Sequence, residues 1–280
     1  MKKISYSQYS MWAQCPHRWK TAYIDGHREF SDNIHTLFGT SMHEVIQTFL
    51  TVMYNDTAKM AEALPLEDML LTRMKRNFES VLETNGGEMF CTEKDMVEFY
   101  QHGVEILKFI RKKRAQYFSK KGYELIGIEV PLNYDLPNNV KFVGYIDIVI
   151  RDTVRDVIKI YDIKTSTMGW NKWMKADKNK TDQLLLYKQF YSKQFNHPMD
   201  RIEVEYFIVK RKLYENLDFP QKRVQKFTPA NGKPSINQVV KRLDEFMKEC
   251  FNSDGEYNIE HIYRKEASKK NCRFCEFNQT

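Results

Sequence analysis

The sequence predicts a single α/β domain with a helical N-terminal elaboration. Two observations carry that expectation. Apolar residues recur at helical spacing through residues 1–120, and from residue 121 onward Val-, Ile- and Tyr-rich runs alternate with short polar turns. The chain of 280 residues can bury a core of ordinary size. No internal repeat, low-complexity tract or linker divides it, so residues 1–280 are read as one unit.

Residues 5–24, SYSQYSMWAQCPHRWKTAYI, are aromatic-rich with helical spacing. Residues 38–54 place Met42, Val45, Ile46, Phe49, Leu50 and Met53 on one stripe, which predicts a helix packed on a core. Within it Ser41 and Glu44 have the S-x-x-E spacing of a capping box, so Glu44 is kept out of the candidate site. Residues 60–118 continue as charged amphipathic helices, interrupted around TNGGE at 84–88. They close on the RKKR run at 111–114, read as a solvated helical face. Strands are expected over 123–132, 140–150 and 156–164, joined as hairpins, with a further strand at 201–211. Helices are expected over 182–195 and 235–252.

The formal charge of +7, from 44 basic and 37 acidic residues, permits a polyanionic partner without requiring one. Five irregularly spaced cysteines, and a first stretch, MKKISYSQYS, without the apolar core of a signal peptide, point to a reducing compartment. The cytoplasm is expected, or the host-cell cytoplasm if the protein is viral. No apolar run approaches the roughly 18 residues of a membrane span, and no GxxxxGK[ST] loop is present. Any helicase or recombination partner would therefore be a separate chain.

The chemistry concentrates at YDIKTS, residues 161–166. Side chains two apart on a strand share a face, so Asp162 and Lys164 form one polar spot. With the hairpin turn centred near Thr153 and Val154, Asp147 of GYIDIVI lies diagonally across from Asp162. Two carboxylates on a covered strand repel and lose hydration unless a positive charge sits between them. A divalent cation such as Mg²⁺ meets that need, and Lys164 would then orient the attacking water and stabilise charge developing on a phosphodiester. Read singly, the same residues are a buried Asp–Lys pair with Asp147 capping a turn. Downstream, STMGWNKWMKADKNKTD interleaves Trp170, Lys172, Trp173 and Lys175 with further lysines, a pattern suited to stacking on bases and meeting phosphates of a single strand. A solvated loop with both tryptophans packed on the body is the competing reading.

His43 in GTSMHEV, Asp147 in GYIDIVI, Asp162 and Lys164 in YDIKTS, and Gln183 with Tyr187 in QLLLY occur in an order that resembles the PD-(D/E)XK nuclease superfamily. The likeness is to its RecB-like branch, which includes AddB nuclease domains and CRISPR adaptation exonucleases, and it runs nearly end to end. It implies a restriction-endonuclease-like core, a mixed central sheet flanked by helices. It also implies Mg²⁺ or Mn²⁺ held by His43, Asp147, Asp162 and the carbonyl of Ile163, with Lys164 assisting the water. Gln183 and Tyr187 lie four apart on one helical face, so both can reach one site; their implied role is to position DNA or Lys164. The bland readings are a satisfied core histidine, a solvent-facing glutamine and a core tyrosine. The activity implied is a metal-dependent DNA exonuclease acting on single strands or duplex ends. A structure-specific endonuclease, or a DNA-binding recombination factor that keeps the fold without cutting, is the alternative.

Cys15 and the C-x-x-C of Cys272 and Cys275 also resemble that branch, where one N-terminal and three C-terminal cysteines hold an iron–sulfur cluster that staples the chain ends. No cysteine follows Cys275 in this sequence. Cys250 or Cys91 is left as the fourth ligand of a [4Fe-4S] cluster. His17 or His261 would instead complete a Zn²⁺ site, or the motif binds nothing.

Overall fold

A computed structural model describes residues 1–27, 32–215, 218–273 and 275–277. The chain opens with strand β1 (Lys2–Ile4) and helices α1 (Tyr6–Gln14) and α2 (Pro16–Tyr23). The helix expected over 5–24 is therefore broken, because Pro16 cannot continue one and Cys15 before it is extended, with φ −160°. Helices α3 (Ile34–Asn55), α4 (Ala58–Glu62), α5 (Leu66–Thr84) and α6 (Glu93–Tyr117) complete the helical half. The α3 cap is Asn33, whose side chain accepts from the backbone N–H of His35 and Thr36. Ser41 thus lies inside a helix and donates to Leu37 O, so no capping box forms there; Glu44 pairs instead with Arg73 and Arg76 of α5.

Strands β2 (Tyr123–Leu136), β3 (Val140–Asp152) and β4 (Val157–Ser166) follow, then α7 (Lys172–Ala176) and α8 (Lys178–Gln194). A 3₁₀ turn at Met199–Arg201, strands β5 (Ile202–Lys210) and β6 (Val224–Phe227), and helices α9 (Lys233–Cys250) and α10 (Lys269–Cys272) end the chain. The sheet is mixed: β3 runs antiparallel to β2 and β4, β1 is parallel to β3, β5 is parallel to β4, and β6 is antiparallel to β5.

Period-two alternation sends side chains to two cores. On one face Ile158, Ile160, Tyr206 and Ile208 pack under α1, α2, α8 and α9. On the other, Tyr161, Ile163, Phe207 and Val209 meet the α3 stripe, whose Met42, Val45, Ile46, Phe49, Leu50 and Met53 are all buried. Among the described residues no helix is long and apolar enough to cross a membrane.

The chain ends pack together. Trp19, fully buried, sits edge-on to Phe246 of α9 and Tyr257, and beside Phe251 and Tyr263. The Glu266 N–H meets Cys15 Sγ, and Arg18 pairs with Glu276. Trp19→Ala should lower unfolding free energy by about 3–5 kcal/mol, since an indole-sized cavity opens where α2 meets α9 and the segment that follows it. Urea denaturation followed by circular dichroism checks this; a loss under about 1 kcal/mol would refute the packing.

Candidate active site

The site forms where the sheet divides. One edge of β3 is paired throughout with β2, and the other is shared: β1 takes Val140–Phe142, and β4 takes Ile148–Asp152. The β3–β4 ladder ends at Ile148 opposite Tyr161. One step further, where the next backbone bond would lie, the Ile163 N–H donates to Asp147 Oδ2 at 2.6 Å. A side chain therefore bridges the fork. The register continues to set Asp147 opposite Asp162 rather than diagonal to it, because the turn lies one residue later than the sequence reading placed it.

On the α8 side, Lys164 Nζ lies 2.8 Å from Asp162 Oδ2 and donates to Gln183 Oε1 at 3.0 Å. Gln183 Nε2 in turn donates to the Tyr187 hydroxyl at 3.1 Å. Because an ammonium only donates, the Lys164 bond fixes which end of the Gln183 amide faces the lysine, and the Tyr187 hydroxyl accepts from the other end. Tyr187 can lie against β3 because position 144 is glycine: a Cβ there would come within 3.2 Å of the ring and the hydroxyl. The start of α8 is anchored by the Tyr206 hydroxyl, which donates to Lys180 O at 2.8 Å, and Asp182 of α8 pairs with Arg242 of α9.

On the α3 side, His43 Nδ1 lies 3.6 Å from Asp147 Oδ2, and the ring also meets the Ile163 backbone. The structure adds two residues that the sequence reading missed. Gln47, one helical turn beyond His43, donates to the Glu129 carboxylate at 2.5 Å and to Asp147 O at 3.3 Å. Glu129 sits on β2 between the pairs Ile128–Ile148 and Val130–Ile146, which brackets it against Asp147. Its φ of +49° is left-handed, a conformation that costs a residue with a side chain on the order of 1 kcal/mol. Glu129, Asp147 and Asp162 thus form a row across three strands.

Burial pushes the carboxyls of Asp147 and Asp162 each up to about 6, despite the opposing Lys164 ammonium. Burial alone would lower the Lys164 pKa, but the two carboxylates outweigh it and hold the ammonium charged. Burial also pushes the His43 imidazole down, which keeps it neutral.

The carboxylate oxygens and the Ile163 carbonyl suit a hard divalent cation, and the neutral imidazole adds a softer nitrogen donor. Asp162 Oδ2 is buried with the Lys164 ammonium 2.8 Å away, so a cation bound there would have to displace or share that contact. Among the described residues, however, no three His, Cys, Asp or Glu side chains already converge closely enough to grip an ion. Lys164 occupies Asp162 in this arrangement.

The other sequence candidates divide. Cys15, Cys272, Cys275 and His17 line one small pocket between α2 and the C-terminal segment, though without the convergence that would hold a metal. Cys250 does not line that pocket: it is fully buried in the core among Phe246, Phe251 and Tyr263, with burial raising its thiol pKa. Cys91 packs against the opposite core, and His261 pairs with Glu249. Trp170 is also a correction: it is buried against Tyr206 and Phe227 and presents no face to a base. Trp173 is 73% exposed on α7, with Lys172 Nζ 4.8 Å above its ring. Lys175 lies over Phe227.

The family model described as the PD-(D/E)XK nuclease superfamily matches residues 3–280. Among 18 matching chains of solved structures is a crystal structure of a candidate exonuclease from Eubacterium rectale. It shares 13% sequence identity and a TM-score of 0.54, over 99% of this chain and 87% of that one. At that identity the likeness concerns the fold, a restriction-endonuclease-like mixed sheet between helical layers. No curated protein matches the sequence.

The raised carboxyls make a prediction for cation-free protein. Above pH 6 the fold holds Asp147 as a desolvated anion, whereas the unfolded chain ionises it in water from its ordinary 3.8. Its contribution is therefore destabilising at neutral pH and disappears as pH falls from about 6 towards 3.8. Asp147→Asn keeps an oxygen for the Ile163 N–H and removes the charge. In chelator it should melt higher than the parent at pH 7.5 by a few degrees, with the gap closing near pH 4; a gap independent of pH would refute the assignment.

Proposed function

Because the chain belongs to the PD-(D/E)XK nuclease superfamily, we propose that it is a divalent-metal-dependent deoxyribonuclease of the RecB-like branch, acting as an exonuclease. The observation that carries the reading is the fork between β3 and β4. There Asp147, Asp162 and Lys164 meet the Gln183–Tyr187 pair from one side, and His43 and Glu129 from the other. The exonuclease mode rests on the likeness of that residue order to the RecB-like branch.

His43, Asp147, Asp162 and the Ile163 carbonyl would hold the Mg²⁺ or Mn²⁺ that this superfamily generally uses, with Glu129 as a further oxygen donor beside Asp147. A cation there would polarise the phosphodiester and lower the pKa of a bound water. The remaining work falls to the chain. Lys164, kept charged by its two carboxylate neighbours, presents an ammonium where negative charge grows on the phosphoryl oxygens. Gln183 holds that ammonium in place, and Tyr187 holds Gln183. Hydrolysis forms one phosphorus–oxygen bond from water, breaks the bond to the leaving oxygen, and returns a proton to that oxygen. His43, neutral because it is buried, can act as a ligand or accept a proton. The exposed Trp173 with Lys172 and Lys175 would guide a single strand towards the fork, the indole stacking and the ammonium groups meeting phosphate.

Cleavage of end-labelled linear and closed circular DNA, single- and double-stranded, tests the reading. Linear DNA should be degraded with Mg²⁺ or Mn²⁺ and spared in chelator. Lys164→Ala should lose about 10²–10³-fold in rate, and Glu129→Gln about 10–100-fold. Cutting of circles would replace the exonuclease reading with an endonuclease. Binding without any cleavage would leave a recombination factor of the same fold.

A further inference from the structure

Beyond Lys164 the β4 strand runs into a second pocket, of about 140 Å³, that the cleavage chemistry leaves unused. Its floor is Phe38 of α3 and Phe99 of α6, and its polar lining is His35, Thr165, Ser166, Thr167 and Arg211. Arg211, just after β5, is 7% exposed, and its guanidinium carbon lies 3.8 Å above the Phe99 ring centre. Its backbone N–H donates to Ser166 O at 2.8 Å, and that of Lys212 to Thr167 O at 2.7 Å, so the cation is rigidly tied to the end of the strand that carries Asp162 and Lys164.

The charge around this pocket is unbalanced. Lys210, Arg211, Lys212 and Arg223 gather at the ends of β5 and β6; Glu98 meets both Arg211 Nη1 and Lys212 Nζ at 3.0 Å, and Glu105 acts on Arg223. His102 Nδ1 lies 3.2 Å from the same Arg211 Nη1. Among the described residues Nε and Nη2 of Arg211 donate to nothing, although Arg211 is a nearly buried cation. Burial and neighbouring cations push Lys210 and His102 towards their neutral forms, as expected where positive charge is in excess. The Ser166 hydroxyl is engaged with Gly169 and shapes the turn, while the Thr165 and Thr167 hydroxyls have no hydrogen-bond partner among the described residues and can donate to a ligand. A planar guanidinium fork beside two hydroxyls recognises a tetrahedral oxyanion.

Resting on the nuclease reading above, we propose that the Arg211 pocket is a phosphate-binding subsite that holds a phosphate of the DNA strand beside the scissile one. Two sources share that chemistry, a terminal 5′-phosphate and an internal phosphodiester. The pocket borders the end of the strand that carries Asp162 and Lys164, on the α3 side of the sheet with Thr165 while Lys164 faces α8, so a phosphate held there sets where the DNA strand lies relative to the carboxylates.

The test measures binding, not cleavage. Two 3′-fluorescent single-stranded oligonucleotides of one sequence, with a 5′-phosphate or a 5′-hydroxyl, are titrated with the full chain in chelator across a salt series. Arg211→Gln should weaken binding about tenfold and reduce the slope of log affinity against log salt by about 0.7, one single-strand phosphate contact. Because Arg211 also packs on Phe99, the exposed Thr167→Asp serves as a second variant that leaves the core intact and sets a carboxylate at the pocket mouth. A loss confined to the phosphorylated strand assigns the pocket to a terminal phosphate; an equal loss on both assigns it to an internal phosphodiester. Unchanged affinity and slope in both variants would overturn the subsite, as would a parent that binds neither strand. Binding that behaves as expected from a parent that cuts nothing with Mg²⁺ would sink the nuclease reading and leave the subsite standing.

Discussion

The bond from the Ile163 N–H to Asp147 Oδ2 is the constraint on which the site depends. A ladder made only of backbone groups would zip β3 to β4 further, and the carboxylates would be stranded in a flat sheet. By accepting the N–H itself, Asp147 ends the pairing and keeps the two strands in register as they part. The same bond fixes the Asp162–Ile163 peptide, while Asp162 and Lys164 on either side turn towards α8. Helix α3 closes the opposite side because its apolar stripe is sunk in the core, which leaves His43 and Gln47 with little freedom to move away from the fork.

Holding these groups together opposes stability. Two carboxyls with pKa values raised to about 6 are groups the fold would sooner keep protonated. The Lys164 charge offsets only part of that desolvation, and buried ion pairs of this kind are seldom net stabilisers. The stabilising side lies elsewhere, in two apolar layers and in the aromatic contacts of Trp19 with the C-terminal segment. A left-handed Glu129 adds a further local cost at the same place. Strain and desolvation converge at a single point, as they do where a structure is organised for chemistry.

The parts legible in the sequence were those with a long period or a fixed order. Met42 to Met53 announce α3 because six apolar residues recur on one stripe, and the β2–β4 meander is visible because Val and Ile runs are separated by polar turns. Strands β1 and β6, of three and four residues, are too short for alternation to register. Ser41 and Glu44 had the spacing of a cap, yet Asn33 begins the helix earlier and turns that spacing into a tie to α5. Glu129 had no local signal, because its place depends on a backbone conformation and on Gln47 82 residues away in sequence. Trp170 and Trp173 look alike in a lysine-rich stretch; only the packing of Tyr206 and Phe227 separates the core residue from the exposed one. Cys250 was a candidate fourth ligand, and the periodicity that makes α9 amphipathic turns it inward.

The overall charge of +7 does not by itself say how a polyanion is held, because the centre of the fork has the wrong sign for one. Glu129, Asp147 and Asp162, when ionised, leave two negative charges after Lys164 is counted, and a phosphodiester brought there meets repulsion in a poorly hydrated setting. Attraction must come from the flanks. On one side lie Lys172 and Lys175 of α7 with the exposed Trp173, and on the other the cations around Arg211. On the proposed reading, a strand drawn by both flanks would be held across the acidic centre, and a divalent cation there would remove the repulsion. Tight approach of the scissile phosphate would then be coupled to the metal, and DNA held without the ion would remain uncut.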